Sequence, residues 1–204
     1  MYVIPFCMGP LGSPYSRFGV EVTDSPYVVV NMRLLSRMGT EVLNILNEDD
    51  FFLPCLHSVG MPIDGQKDVS WPCNPENTHI CLFPDEPSVM SYGSGFGANA
   101  FASVRNYGLR IASVMAKKEG WLAEHCLVLG LTSPEGKTQY ICGGIPTGCG
   151  KSSLASVIPT IPGWTVRLIS DDIAWMYVGE DGRLYAINPA YGFFDRVQGT
   201  VKKN

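Results

Sequence analysis

A loop-rich α/β fold is what this sequence predicts, and three features predict it. Two stretches carry apolar residues at helical spacing and close on glycine, and several short apolar runs lie between proline and glycine. Twenty-two glycines and fifteen prolines keep every element short, with no low-complexity tract and no fixed-period repeat. The chain has 204 residues, 46% hydrophobic and 17% charged, which is a globular composition with a real core. A chain of this size buries roughly 70% of its unfolded surface.

The first helix is expected after Ser25, a cap residue followed by Pro26 at a first helical position, with Val29, Met32, Leu35 and Met38 on one face and Gly39 as the stop. Residues 49–92 hold the pieces FFLPCL and HICLF between turn residues, which read as short strands. A second helix is expected from Phe101, Val104, Ile111, Val114 and Met115, with Lys117 and Lys118 in its last turn and Gly120 beyond it. The run CLVLGL, the turn Ser133-Pro134-Glu135-Gly136 and the run TQYICGG read as a hairpin. A brief helix from Ser152 to Val157 stops before Pro159, and TVRLIS then alternates as a strand up to Asp171 and Asp172. The stretch IAWMYVGEDGRLYAINP reads as a last hairpin turning at Glu180, Asp181 and Gly182.

Composition narrows the function. A net charge of -4 and a pI near 5.3 give no basic field for a nucleic-acid backbone. Seven cysteines, odd in number and never spaced as CxxC, argue against a disulfide framework and a zinc ribbon, so a reducing compartment, the cytosol, is expected. The start MYVIPFCMGPLG lacks a basic region ahead of its apolar residues, so no leader is expected, and no apolar run approaches a membrane span.

The segment Gly144 to Ser153, GIPTGCGKSS, lies between a strand and a helix start, where backbone amides and a helix N-terminus can cradle a polyphosphate. Lys151 is then expected to meet the β and γ phosphates, and the Ser152 hydroxyl a divalent ion bridging them. The spacing is irregular, since position 145 is Ile145 where a glycine is usual and Gly144 stands one residue early; an ordinary glycine-rich turn is the alternative. Asp171 and Asp172 follow a strand twenty residues past Lys151, where such proteins hold a metal; an isolated pair would instead read as a solvated turn or cap. His125 stands at an element end, and neither His57 nor His79 has an i, i+4 partner that would make a metal motif. Cys149, beside Lys151 at a helix start, is either a thiol activated by positive charge or a small residue chosen for fit.

The blocks MYVIPFCMGPLGSP, SPYVVVNMRLLSRMGT, CLHSVGMP, WPCNPENTHI, SYGSGFGAN, EGWLAEH, GCGKSS, DDIAWM and AINPAYGFF, in this order, resemble the GTP-dependent phosphoenolpyruvate carboxykinases. The resemblance implies a mixed-sheet, P-loop-containing carboxykinase-like core, truncated at both ends relative to the family. Residues 1–120 would be the end of the substrate-binding N-terminal domain and 121–204 the start of the P-loop domain for nucleotide and metal. It implies conversion of oxaloacetate and GTP to phosphoenolpyruvate, GDP and carbon dioxide at the entry to gluconeogenesis. The cofactors would be Mn2+ or Mg2+ at the active site and Mg2+ with GTP. No nucleic-acid or membrane partner is implied, and a monomer is expected.

Carried over by position, His125 and Asp172 are metal ligands with Asp171 behind them, and Cys149 and Lys151 are catalytic. Gly148, Cys149, Gly150, Lys151, Ser152 and Ser153 hold the nucleotide phosphates, while Phe96, Gly97, Ala98, Asn99, Ala100 and Thr147 face the substrate. Arg105 stands where the family has a lysine ligand, preceded by Val104 in place of a second lysine. A guanidinium has no lone pair to give a metal. Phe96 replaces a tyrosine, Ala98 a glycine, and Thr147 a serine; after Phe194 the tail leaves the family pattern. A degenerate, non-catalytic chain that binds nucleotide or a protein partner is therefore the alternative reading, and an unrelated small P-loop kinase fits the upstream blocks poorly.

Overall fold

The computed structural model describes residues 1–61, 64–65, 74–94, 102–146 and 148–193. They fall into two compact units, one of Met1–Lys118 with Pro189–Gly192 and a second built on Glu119–Asn188. Among the described residues, no helix is long and apolar enough to cross a membrane.

The first unit is a mixed sheet with helices packed against it. Its strands are β1 (Tyr2–Met8), β2 (Arg17–Thr23), β3 (Arg37–Met38), β4 (Phe52–Ser58), β5 (His79–Phe83) and β6 (Ser88–Tyr92), in the order β3-β1-β2-β4-β6-β5. The pairs β2–β4 and β4–β6 are parallel, and the other pairs are antiparallel. Alternation puts Ile4, Phe6 and Met8 with Leu53, Cys55 and Val89 into the core, while Phe52, Leu56 and Met90 remain exposed. Gly19 is paired with Phe6, and a β-carbon there would stand 2.6 Å from Phe6 Cε1 and nearer still to Cζ. Only glycine leaves room for that ring, which meets Tyr107 edge-on at 6.1 Å.

Helix α1 (Pro26–Leu35) starts as expected, with Ser25 Oγ accepting the Val28 amide and Val28 and Met32 facing the core. Its end is a correction. Ser36 caps the helix, and Met38, expected on the helical face, pairs with Phe6 in β3. Gly39, at φ 85°, starts the short helix α2 (Thr40–Leu43) instead of closing α1. The N-terminal strands were also hidden by their breakers. Pro5 lies inside β1, where its carbonyl accepts from the Gly39 amide; its missing N–H therefore points to the side on which β3 pairs only Phe6 and Cys7.

The second expected helix is a π-helical run, Ala102–Ile111, continued by α3 (Ala112–Glu119) and closed by Gly120 at φ 83°. The i→i+5 pattern turns the apolar face, so Tyr107, Ile111, Ala112 and Ala116 are buried. Val104, Val114 and Met115, expected on the core face, are only half-buried, and Phe101 lies outside the described residues. Pro189–Gly192 belongs to this unit through Gly9 N–H to the Pro189 carbonyl (2.7 Å), Tyr191 N–H to the Leu35 carbonyl (2.9 Å) and Arg37 over the Tyr191 ring.

His57 ties β4 to its surroundings. Its Nε2–H donates to the Ser94 carbonyl (2.6 Å), so Nδ1 accepts from Thr23 Oγ1 (2.8 Å), which itself accepts the Ser25 amide. Burial lowers the His57 pKa against the opposing pull of the Ser94 carbonyl and Asp24. The folded chain holds this ring neutral below the pH at which the unfolded chain takes up a proton. Its contribution is complete above the ordinary value of 6.5 and is lost as pH falls toward the lowered folded value. Denaturant midpoints across this range should fall on the acid side, and H57Q should flatten that slope; an unchanged slope would assign the acid limb to other groups.

The second unit holds two antiparallel three-stranded sheets. One is β10-β8-β9, from β8 (Leu127–Thr132), β9 (Thr138–Gly143) and β10 (Thr165–Ser170); the other is β12-β11-β7, from β7 (Leu122–Glu124), β11 (Ala174–Val178) and β12 (Leu184–Ile187). Both expected hairpins form, turning at Gly136 (φ 78°) and Gly182 (φ 73°). Helix α4 spans Lys151–Ala155, one residue earlier at its start than expected and two shorter at its end.

Candidate functional site

The chain passes from one sheet of the second unit to the other at two points. It crosses at His125–Cys126, between β7 and β8, and at Asp171–Ile173, between β10 and β11. Register brings the crossings together, because Glu124 pairs with Ala174 while Val128 pairs with Ser170. A bulge between Leu168 and Ser170 breaks the ladder, and the buried Ser170 hydroxyl donates to the Ile173 carbonyl, bracing the turn that carries Asp171 and Asp172.

Lys151 opens α4 and sends its side chain to these crossings. Its Nζ donates to Asp172 Oδ1 at 2.6 Å and contacts His125 Nε2, while Nε2 and Oδ1 stand 2.8 Å apart. An imidazole nitrogen offers either a proton or a lone pair, and facing the Lys151 ammonium Nε2 is placed to offer its lone pair. Two acceptors, one nitrogen and one oxygen, thus converge on a single cationic point. Lys151 is buried, whereas the side chains of His125 and Asp172 are 30% and 22% exposed, so the point lies at the edge of solvent.

The loop ahead of α4 is shaped by two left-handed glycines, Gly148 (φ 85°) and Gly150 (φ 93°), the second at the helix cap. A β-carbon on either would meet nothing within 4 Å, so glycine is required there for conformation and not for space. The Cys149 amide turns back to the Pro146 carbonyl (3.2 Å), and Leu154 is the first to bond along the helix, to Gly150. Amides of a first helical turn have no intrahelical acceptor, so those of Lys151, Ser152 and Ser153 are presented at the loop. Gly148, Cys149, Gly150, Ser152 and Ser153 are all exposed.

Of the residues singled out from sequence, the structure therefore groups Lys151, His125 and Asp172, with Asp171 half-buried in the same turn. Arg105 is exposed on the π-helical run of the first unit. Phe96, Gly97, Ala98, Asn99, Ala100 and Thr147 lie outside the described residues. One pairing escaped sequence reasoning. Cys126 Sγ is 3.1 Å from Cys142 Sγ, and burial, followed by the contact with Cys142, pushes the Cys126 thiol up to about 12.

The donor set suits a hard or borderline divalent ion, for which imidazole and carboxylate are ordinary ligands. Among the described residues no cluster of three or more His, Cys, Asp or Glu forms; His125 Nε2 and Asp172 Oδ1, which meet at the Lys151 ammonium, are atoms of the types such an ion accepts.

A family model described as the phosphoenolpyruvate carboxykinase N-terminal domain matches residues 1–117, and one described as the phosphoenolpyruvate carboxykinase C-terminal P-loop domain matches residues 121–204. The chain is 54% identical over 204 residues to a phosphoenolpyruvate carboxykinase (GTP) of Chlamydia pneumoniae, covering all of this chain and 34% of that protein. It is 56% identical over 201 residues to that of Chlamydia caviae, and 53% over 201 to that of Corynebacterium jeikeium; each alignment covers 98% of this chain, and 34% and 33% of those proteins. The chain thus spans about a third of the length of the curated relatives it matches.

Proposed function

Because the chain belongs to the phosphoenolpyruvate carboxykinase family, we propose that its second unit is the metal- and phosphate-binding part of a GTP-dependent, decarboxylating phosphoryl transfer from GTP to oxaloacetate-derived enolate. The observation that supports this most is the convergence of His125 Nε2 and Asp172 Oδ1 on one cationic point, beside a loop opened by Gly148 and Gly150. His125 and Asp172 would hold Mn2+ or Mg2+, with Asp171 behind them, and that ion would draw charge from the developing enolate oxygen. The chain's own groups do the rest. Amides of Lys151, Ser152 and Ser153 orient the phosphates, and the Ser152 hydroxyl is the ligand for the Mg2+ that accompanies GTP. The Lys151 ammonium neutralises charge on the transferred group. Cys149, exposed between the two left-handed glycines, would be the thiol nearest those phosphates. Phe96, Gly97, Ala98, Asn99, Ala100 and Thr147 are proposed to face the substrate.

Arg105 favours a second reading. With a guanidinium at the position of the family's lysine ligand, the metal keeps two protein side-chain ligands, and a chain that binds nucleotide without turnover follows. Mn2+ titration by electron paramagnetic resonance and GTP titration by calorimetry test both. The purified chain should bind each, and H125A should weaken Mn2+ at least tenfold; Mn2+ binding untouched by H125A removes the proposed site. Labelled oxaloacetate with GTP and Mn2+ then separates the readings, since labelled phosphoenolpyruvate supports catalysis, and intact binding without product supports the second.

A further inference from the structure

The β8–β9 hairpin carries a chemistry that the metal and phosphate groups do not use. Its register pairs Val128 with Cys142 and Leu127 with Gly143, and Cys126 precedes Val128 by two residues. Side chains two apart on a strand share a face, so Cys126 and Cys142 are directed to the same side of the hairpin. Their sulfurs are 3.1 Å apart, and Met176 Sδ stands 3.9 Å from Cys142 Sγ. A disulfide bond is about 2.05 Å long, so about 1 Å of side-chain rotation separates this contact from a bond. The two thiols also differ in access, since Cys142 is exposed and Cys126 is buried.

We infer that Cys126 and Cys142 form a reversible intramolecular disulfide by exchange with a small-molecule disulfide of the glutathione type. The exposed Cys142 sulfur attacks one sulfur of the oxidant; a new S–S bond forms, the oxidant's own S–S bond breaks, and one glutathione leaves as thiol with the proton of Cys142. Cys126 then attacks Cys142 Sγ, the mixed disulfide breaks, and the second glutathione leaves with the proton of Cys126. Two protein thiols are oxidised and one glutathione disulfide is reduced to two thiols. The bond closes a ring over residues 127–141 and ties the strand that follows His125 to the strand that enters the phosphate loop. A pair of this kind is no framework disulfide: it forms where glutathione disulfide is present and opens when glutathione thiol is in excess, by the same two exchanges run in reverse, two glutathione thiols being oxidised to one disulfide.

The test uses the whole folded chain incubated with glutathione disulfide, quenched in acid, alkylated and mapped by mass spectrometry without reduction. The expected product is a Cys126–Cys142 linked peptide, two hydrogens lighter than the two reduced peptides together, with neither of these cysteines alkylated or carrying glutathione. C126A should stop the exchange at its first step and leave a stable glutathione adduct on Cys142. C142A should leave Cys126 reduced, and C149A should keep the linked peptide. Circular dichroism before and after treatment establishes that each chain is folded. The inference is overturned if Cys142 of the parent chain accumulates as the glutathione adduct, if it links to Cys149 instead, or if all seven thiols remain alkylatable.

Discussion

Replacing Asp172 with alanine should lower the unfolding free energy by about 2–3 kcal/mol and abolish Mn2+ binding in the same protein. Lys151 is the reason for the size of the effect. Its ammonium is buried, and its acceptors are Asp172 Oδ1 at 2.6 Å and His125 Nε2. Removing the carboxylate leaves a buried cation without its charged partner, the situation in which breaking a pair costs more than the pair was worth. Partial exposure of Asp172 admits water and keeps the loss below that of a fully buried pair. D172N retains an oxygen acceptor without the charge, so its loss should be about half as large. Urea unfolding followed by tryptophan fluorescence reads this directly, because Trp121 and Trp175 meet at 5.2 Å in the same unit. A change under about 0.5 kcal/mol for D172A, the range of ordinary surface substitutions, would mean that Lys151 is not held by this carboxylate.

Much of the fold was legible because its signals are local. Ser25 and Pro26 announce α1, and the turns at Gly136 and Gly182 announce both hairpins, since cap and turn chemistry act within four residues. What failed was set by distant partners. Met38 leaves the helical pattern because Phe6 offers it a strand, and β1 tolerates Pro5 because few hydrogen bonds are needed on that side. The apolar phase of residues 102–119 turns with the π-helical run, and no residue in it states in advance that the helix will widen. The site divides in the same way. Lys151, His125 and Asp172 could be chosen from residue type, spacing and resemblance, but that the lysine points at the other two, 26 and 21 residues away, depends on two crossings between sheets. Cys126 and Cys142 meet only once the hairpin register is known.

The direction taken by Lys151 makes Lys151→Met the sharper probe of function. The Lys151 ammonium occupies the same two atoms, His125 Nε2 and Asp172 Oδ1, that are proposed to hold the divalent ion, so the two would compete for them. Binding the ion therefore includes the cost of detaching Nζ and of leaving two positive charges close together. Methionine keeps the length and apolar stem and removes the charge, so Mn2+ affinity should rise about tenfold, a gain of about 1.4 kcal/mol. Triphosphate binding should move the other way, falling about tenfold or more, because the lysine is proposed to meet the transferred group. Opposite signs are the useful feature: general damage to the second unit would weaken both ligands together. Stability separates the cases again. K151M should cost less than D172A, since the carboxylate left behind is partly exposed and can be hydrated, whereas the ammonium left by D172A is buried. Electron paramagnetic resonance for Mn2+, calorimetry for GTP and urea midpoints for both variants give the three readings. A fall in Mn2+ affinity for K151M would show that the ammonium assists the ion instead of competing with it, and the shared cationic point would then have to be abandoned as the metal position.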